Sequence, residues 1–182
     1  MLQMEQKDYN MEILNVLLNE KSHVRSIARL LGTNQMMVSR KLKELLGKNV
    51  VDFKREGRNQ VYFIKDSPEA RVFVLMAEQY KLFKLIEKYP DLKDIIKKIQ
   101  DDKKIKLAII FGSYAKGLAG KNSDVDIFIE AYDRGLKEKY SEIDSKLSVK
   151  IGRLGKDNLS KEIEKNHVII KGGEIYHEKF FD

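Results

Sequence analysis

The stretch FGSYAKGLAGKNSDVDIFIE, residues Phe111–Glu130, decides how this chain is read. It follows an apolar run rich in β-branched residues, Ile105 to Phe111, the composition of a covered strand. Gly112 and Ser113 come directly after that run. A Gly-Ser step there lets backbone approach a ligand, and a helix beginning at it aims free N–H groups at a phosphate. Lys116 adds a cation one turn on. Further along, SDVDIFIE alternates, with Val125, Ile127 and Ile129 on one strand face and Asp124 and Asp126 on the other. Side chains two apart on a strand lie roughly 7 Å apart and can converge on metal ions. Two such carboxylates repel unless a cation lies between them. The plainer alternative is an ordinary turn, with Asp124 capping GKNSD and Asp126 paired to a lysine of a neighbouring element.

Taken together, GSYAKGLAGKNSDVDIFI resembles the signature of the polymerase β nucleotidyltransferase superfamily, in particular its minimal prokaryotic members. The resemblance extends from Lys103 to Phe180, with its specificity concentrated in residues 111 to 129. It implies a mixed sheet flanked by helices. It also implies that Gly112 and Ser113, supported by Lys116 and more weakly Lys121, hold the triphosphate of an NTP, ATP foremost. Asp124 and Asp126 would be the catalytic pair and the ligands of Mg2+ or Mn2+, with one ion activating an acceptor hydroxyl and the other neutralising the departing pyrophosphate. The family usually adds a third carboxylate from a neighbouring strand. Here that strand reads LSVKIGRLG, Leu147 to Gly155, and the residue between inward-facing Val149 and Ile151 is Lys150. Glu130 lies roughly 13 Å along the strand from Asp126, too far to share an ion. Glu142 and Asp144 fall on a predicted surface helix, and Asp157 is the best substitute. His167 and His177 are expected on the surface or in packing, and Tyr176 in the core or on a stacking surface.

The N-terminal part has a different character. Tyr9 to Glu20 reads as an amphipathic helix. Ser22 is a candidate cap for a second helix carrying Val24, Ile27, Ala28 and Leu31. After Gly32, Thr33 or Asn34 can cap a third helix to about Leu46, which turns Met36, Ser39, Arg40 and Lys43 away from the apolar side. VVDFKREGRNQVYFIK then forms a hairpin with Arg55 and Arg58 at its tip. This layout resembles the winged helix-turn-helix of bacterial and archaeal regulators. The resemblance implies that Gln35, Ser39, Arg40 and Lys43 meet the major groove of double-stranded DNA, while Arg55 and Arg58 approach its backbone or minor groove. A structural module for protein contact is the alternative.

Charge follows the same division. The 182 residues carry a net charge of +7, and Lys21 to Asp66 alone holds eleven Lys or Arg against four acids. A local field of this sign attracts a polyanion, although a solvated surface can look the same. Pro68 opens a helix that continues to Tyr89, and its VFVLMA segment is apolar on every side. One face is expected against the winged helix, the other against the second domain or a partner chain, so residues 69–88 could build a homodimer. Asp91 to Gln100 is a further short amphipathic helix.

The fold class expected is therefore two-domain: an all-α/β-wing winged helix, then an α+β nucleotidyltransferase fold with a mixed sheet. The divisions are residues 1–66, a helical connector at 67–100, and residues 101–182. Cysteine is absent, which excludes disulfides and thiolate ligands, and three histidines offer little for zinc. Carboxylates suit harder ions. There is no long apolar run, and the start lacks a signal sequence, so no membrane partner and a cytoplasmic location are expected. Three functions stay open: a DNA-binding enzyme that moves a nucleoside monophosphate to a hydroxyl; a winged-helix regulator whose degenerate nucleotidyltransferase domain senses a nucleotide; and an antitoxin-like module with a toxin-like protein partner.

Overall fold

A computed structural model describes residues 7–131, 133 and 135–178. Phe180, the end of the stretch resembling nucleotidyltransferases, lies outside them. The chain divides into two compact units at Ala77/Glu78.

The first unit begins with α1 (Tyr9–Asn19), capped by Asp8, whose side chain accepts from the Asn10 and Met11 amides. A two-residue strand, β1 (Ser22–His23), precedes α2 (Val24–Leu30). His23 rather than Ser22 caps α2, its Nδ1 accepting the Ser26 N–H at 3.0 Å. Ser22 is buried in β1, which pairs with the later hairpin. Asn34 caps α3 (Gln35–Gly47) by accepting the Met37 N–H at 2.8 Å. The hairpin of β2 (Val51–Glu56) and β3 (Asn59–Ile64) pairs Glu56 with Asn59, leaving Gly57 and Arg58 as the turn. The sheet order is β1-β3-β2. Ile13, Leu14, Ile27, Val38, Leu42 and Leu45 are fully buried, each contributing about 1.5–3 kcal/mol of burial free energy. The helical periodicity of these residues dictates the trihelical core, and the hairpin closes it.

One continuous helix, α4 (Pro68–Lys88), spans the division. Ala70, Val74, Ala77, Leu82 and Leu85 form its buried stripe. The opposite side stays open: Val72, Met76 and Phe83 are 56%, 48% and 57% exposed, so the VFVLMA segment is covered on one side only.

The second unit continues through a 3-10 turn at Pro90–Leu92 into α5 (Lys93–Asp101), β4 (Leu107–Ile110) and α6 (Gly112–Ala115). There follow β5 (Val125–Glu130), α7 (Gly135–Ser141), β6 (Leu147–Gly152), α8 (Asn158–Lys165), β7 (Val168–Lys171) and α9 (Gly173–Glu178). The sheet is mixed, in the order β6-β5-β4-β7, with β5 parallel to β6 and the other pairs antiparallel. Alternation gives it two apolar faces. Ala108, Ile110, Val125, Ile127, Ile129 and Val149 pack with the Ile95, Ile96 and Ile99 side of α5. Leu107, Ile109 and Phe128 pack with Ile163 of α8 and Tyr176 of α9. Gly172, at φ +82°, turns the chain so closely over β4 that a Cβ there would run into the Lys106 carbonyl.

Candidate functional site

The sheet's layout brings two sequence-distant residues together. Phe111 ends β4 by donating its N–H to the Asp126 carbonyl at 3.0 Å. The next residue, Gly112, then lies against the Asp126 side chain. Its φ is +66°, and a Cβ at this position would overlap Oδ2 of Asp126 and lie 3.2 Å from Cγ. No other residue type satisfies both the left-handed backbone and the close approach. Ser113 is half-buried in the four-residue α6. Asp124 is exposed just ahead of β5, where Val125 N–H donates to the Lys146 carbonyl at 2.8 Å. Lys116 is exposed and stands 3.6 Å from Glu162 of α8, an acid that the linear pattern does not single out.

The strand beside β5 supplies no carboxylate. Ser148 is the register partner of Asp126, and Lys150, on the same face, is paired with Phe128 and exposed. The cation expected in the cleft therefore sits one pair beyond the aspartate, and a serine stands directly across from it. Asp157 is committed to capping α8: its Oδ1 accepts the Ser160 N–H at 2.7 Å, and that bond holds its carboxyl below the usual range. Glu130 reaches toward Arg153 at 4.0 Å, at the other end of β5. Glu142 and Asp144 are exposed, and Asp144 accepts the Lys146 N–H at 2.9 Å. Among the described residues no three imidazole or carboxylate side chains gather in an arrangement that could hold a metal ion.

A second polar cluster lies within this unit. Glu78 is fully buried, and its Oε1 accepts from Lys81 Nζ at 3.0 Å, His177 Nε2 at 3.1 Å and His167 Nε2 at 3.3 Å. Burial pushes its carboxyl pKa up, but the hydrogen bonds from the two imidazoles and the Lys81 charge outweigh that and hold it far below the usual range. The histidines are packing residues, as expected, but their shared partner is not visible in the tail sequence. The signal was in α4, where Glu78 occupies a position on the apolar stripe of Val74, Leu82 and Leu85.

In the first unit Gln35, Arg40, Lys43, Arg55 and Arg58 are exposed and Ser39 is half-buried. A cavity of about 670 Å³ brings Gln35 together with Arg55 and Arg58 and adds His23, Arg25 and Asn59. Arg25 was missed by the sequence reading because it belongs to the helix before the expected recognition helix.

Helix, short strand, two further helices and a paired wing define the first unit as a winged helix; the second is an α+β unit with a Gly-Ser turn set against a strand aspartate. The nucleotidyltransferase domain family matches residues 92–170, and the chain belongs to that family. Two curated proteins of Methanocaldococcus jannaschii, both provisionally named protein adenylyltransferases, are similar to it. One is 35% identical over 66 residues, covering 34% of this chain and 67% of its own length. The other is 30% identical over 77 residues, covering 38% of this chain and 90% of its own. Among solved structures, a homodimeric winged helix-turn-helix DNA-binding domain from Mycobacterium bovis matches at 33% identity and a TM-score of 0.34, over 37% of this chain. This chain spans 62% of that fragment's length, and the winged-helix assignment rests on the unit's own topology. Among the described residues no helix is long and apolar enough to cross a membrane.

Proposed function

We propose that this protein is a DNA-binding regulator whose nucleotidyltransferase domain binds a metal–nucleotide and does not transfer it. One observation carries the reading: Asp126 is seated against Gly112, while its register partner on the adjacent strand is Ser148 and the next residue on that face of the strand is Lys150. Gly112, Ser113 and Lys116 would meet the phosphates. Asp124 and Asp126 would hold the Mg2+ or Mn2+ of the incoming nucleotide, where the ion neutralises phosphate charge. β6 offers no carboxylate to orient an attacking hydroxyl beside them. Lys150, being cationic, adds positive potential to the face where the polyphosphate would lie.

The winged helix would place Gln35, Ser39, Arg40 and Lys43 in the major groove, with Arg55 and Arg58 on the adjacent backbone or minor groove. A single such module makes few phosphate contacts. A second copy meeting the exposed Val72, Met76 and Phe83 of α4 would double them and bury an apolar row that the chain leaves open. ATP is the first nucleotide to test, because the relatives from Methanocaldococcus jannaschii carry adenylyltransferase names. Those names also favour a second reading, in which the chain transfers AMP to a protein hydroxyl; a toxin-like protein would be one such partner.

Calorimetric titration of each Mg-NTP into the wild type and into Asp124→Ala/Asp126→Ala tests the nucleotide claim. Saturable, metal-dependent binding in the wild type and none in the double variant is expected. A wild type that binds no nucleotide, or a variant that binds as well, would sink it.

A further inference from the structure

We propose that the end of α4 clamps the phosphate-binding turn, and that Lys88 and Tyr89 are positioning residues for the nucleotide site. This inference rests on the nucleotide reading above and deepens it. The turn after β4 closes on itself through three backbone bonds: Lys116 N–H to the Gly112 carbonyl at 3.2 Å, Gly117 N–H to Tyr114 at 2.9 Å and Leu118 N–H to Ser113 at 2.9 Å. The Gly117 carbonyl is left to an outside donor. Lys88 Nζ takes it at 2.7 Å, a short bond from a charged donor. The adjacent Tyr89 packs its ring edge-on against Tyr114, with centroids 4.8 Å apart and planes at 64°.

Each contact falls immediately after a residue that would meet phosphate. Tyr114 follows Ser113, and Gly117 follows Lys116. Both clamping groups leave the chain where α4 ends, as Tyr89 N–H donates to the Leu85 carbonyl at 2.8 Å. Both tyrosines pack against the edge of the core that holds Ile95, Val125 and Leu147, and a cavity of about 870 Å³ is lined by both together with Gly120, Lys121 and Val125. On the side of this cavity the turn takes its polar and ring contacts from the end of α4. Ten residues earlier, roughly 15 Å along the helix, Glu78 is held by Lys81, His167 and His177. This stretch of α4 is thus fastened to the unit at both ends, and a nucleotide that orders the turn must also favour the clamped state of the helix, by reciprocal linkage.

The Tyr89 hydroxyl is buried with no hydrogen-bond partner among the described residues, and the contact with Tyr114 is made by the ring. That fixes a pattern of variants. Lys88→Met and Tyr89→Ala should each speed amide exchange at residues 116–118 and weaken ATP binding about fivefold to tenfold; melting temperature should change little in Lys88→Met and fall in Tyr89→Ala, whose ring packs on the core. Lys88→Arg, which keeps a charged donor, and Tyr89→Phe, which keeps the ring, should retain wild-type exchange and affinity. Unchanged exchange in Lys88→Met and Tyr89→Ala would overturn the clamp. Faster exchange with ATP affinity untouched would overturn the positioning role. Failure of the conservative variants to keep affinity would do the same. A folded wild type that binds no nucleotide overturns the nucleotide reading itself, and the inference with it; that outcome is read from a different protein than the others.

Discussion

At the residue scale, the account turns on how little room surrounds Gly112. Its backbone is left-handed and the Asp126 carboxylate occupies the space a Cβ would fill, so Gly112→Ala introduces both strain and overlap. Left-handed backbone at a non-glycine residue costs about 1–3 kcal/mol, and the displaced aspartate should reduce metal–nucleotide affinity by at least about tenfold. A calorimetric titration and a thermal melt check the two parts; a variant with wild-type affinity would show that the contact is incidental. Glu78 makes a prediction of another kind. Its folded carboxyl lies below its ordinary value of 4.5 because the bonds from His167, His177 and Lys81 outweigh burial. Asp102 is likewise held down to about 2, first by Lys139 and then by the Lys104 amide and the Tyr140 hydroxyl, against the opposing effect of burial. A depressed carboxyl stabilises the fold in full above its unfolded pKa and loses that contribution as pH falls. Stability should therefore be level above about pH 5 and decline through the window below 4.5. Glu78→Ala, which leaves the lysine and histidines without their acceptor, should cost about 3 kcal/mol at neutral pH and flatten that decline. A chemical-denaturation series across pH measures both, and an acid profile identical to wild type would count against the cluster.

At the element scale, most of the architecture was legible. The helices declare themselves through period and caps, the wing through alternation around Gly57, and β4 and β5 through their β-branched runs. What stayed hidden depends on pairing between elements. Alternation along LSVKIGRLG shows which residues share a face, but only the parallel register with β5 sets Ser148, rather than Lys150, beside Asp126. Ser22 reads as a helix cap because hydroxyls favour that position; its burial in a two-residue strand is a tertiary effect that gave the cap to His23. Glu78 was passed over because a charged residue in a long helix usually faces water. Arg25 was passed over because its helix is not the one expected to read bases. The wing and α3 also carry a prediction. Replacing Arg55 and Arg58 together with alanine should weaken DNA binding across all sequences and reduce the salt slope by roughly one to two counterions. Arg40→Ala should instead relax sequence preference. Shift assays at several salt concentrations separate the two, and unchanged binding by every variant would mean that this cationic face is only a solvated surface.

At the scale of the whole molecule, the chain joins a winged helix to a nucleotidyltransferase domain through one uninterrupted helix. Under the proposal each part supplies groups that would hold an anion: arginines and lysines on one, and on the other a glycine turn and a metal ion held by two aspartates. Neither strand beside β5 places a carboxylate next to Asp126, and the proposal is that nucleotide binding there goes no further. This difference between the two parts is what would set a nucleotide-sensing regulator apart from a transferase. The most direct measurement is pyrophosphate release from each Mg-NTP, followed alongside label incorporation into the protein, added DNA and candidate partner proteins. Saturable nucleotide binding with no release above the Asp124→Ala/Asp126→Ala background is the predicted result. Metal-dependent release that the double variant abolishes would contradict the account and establish the protein as an enzyme.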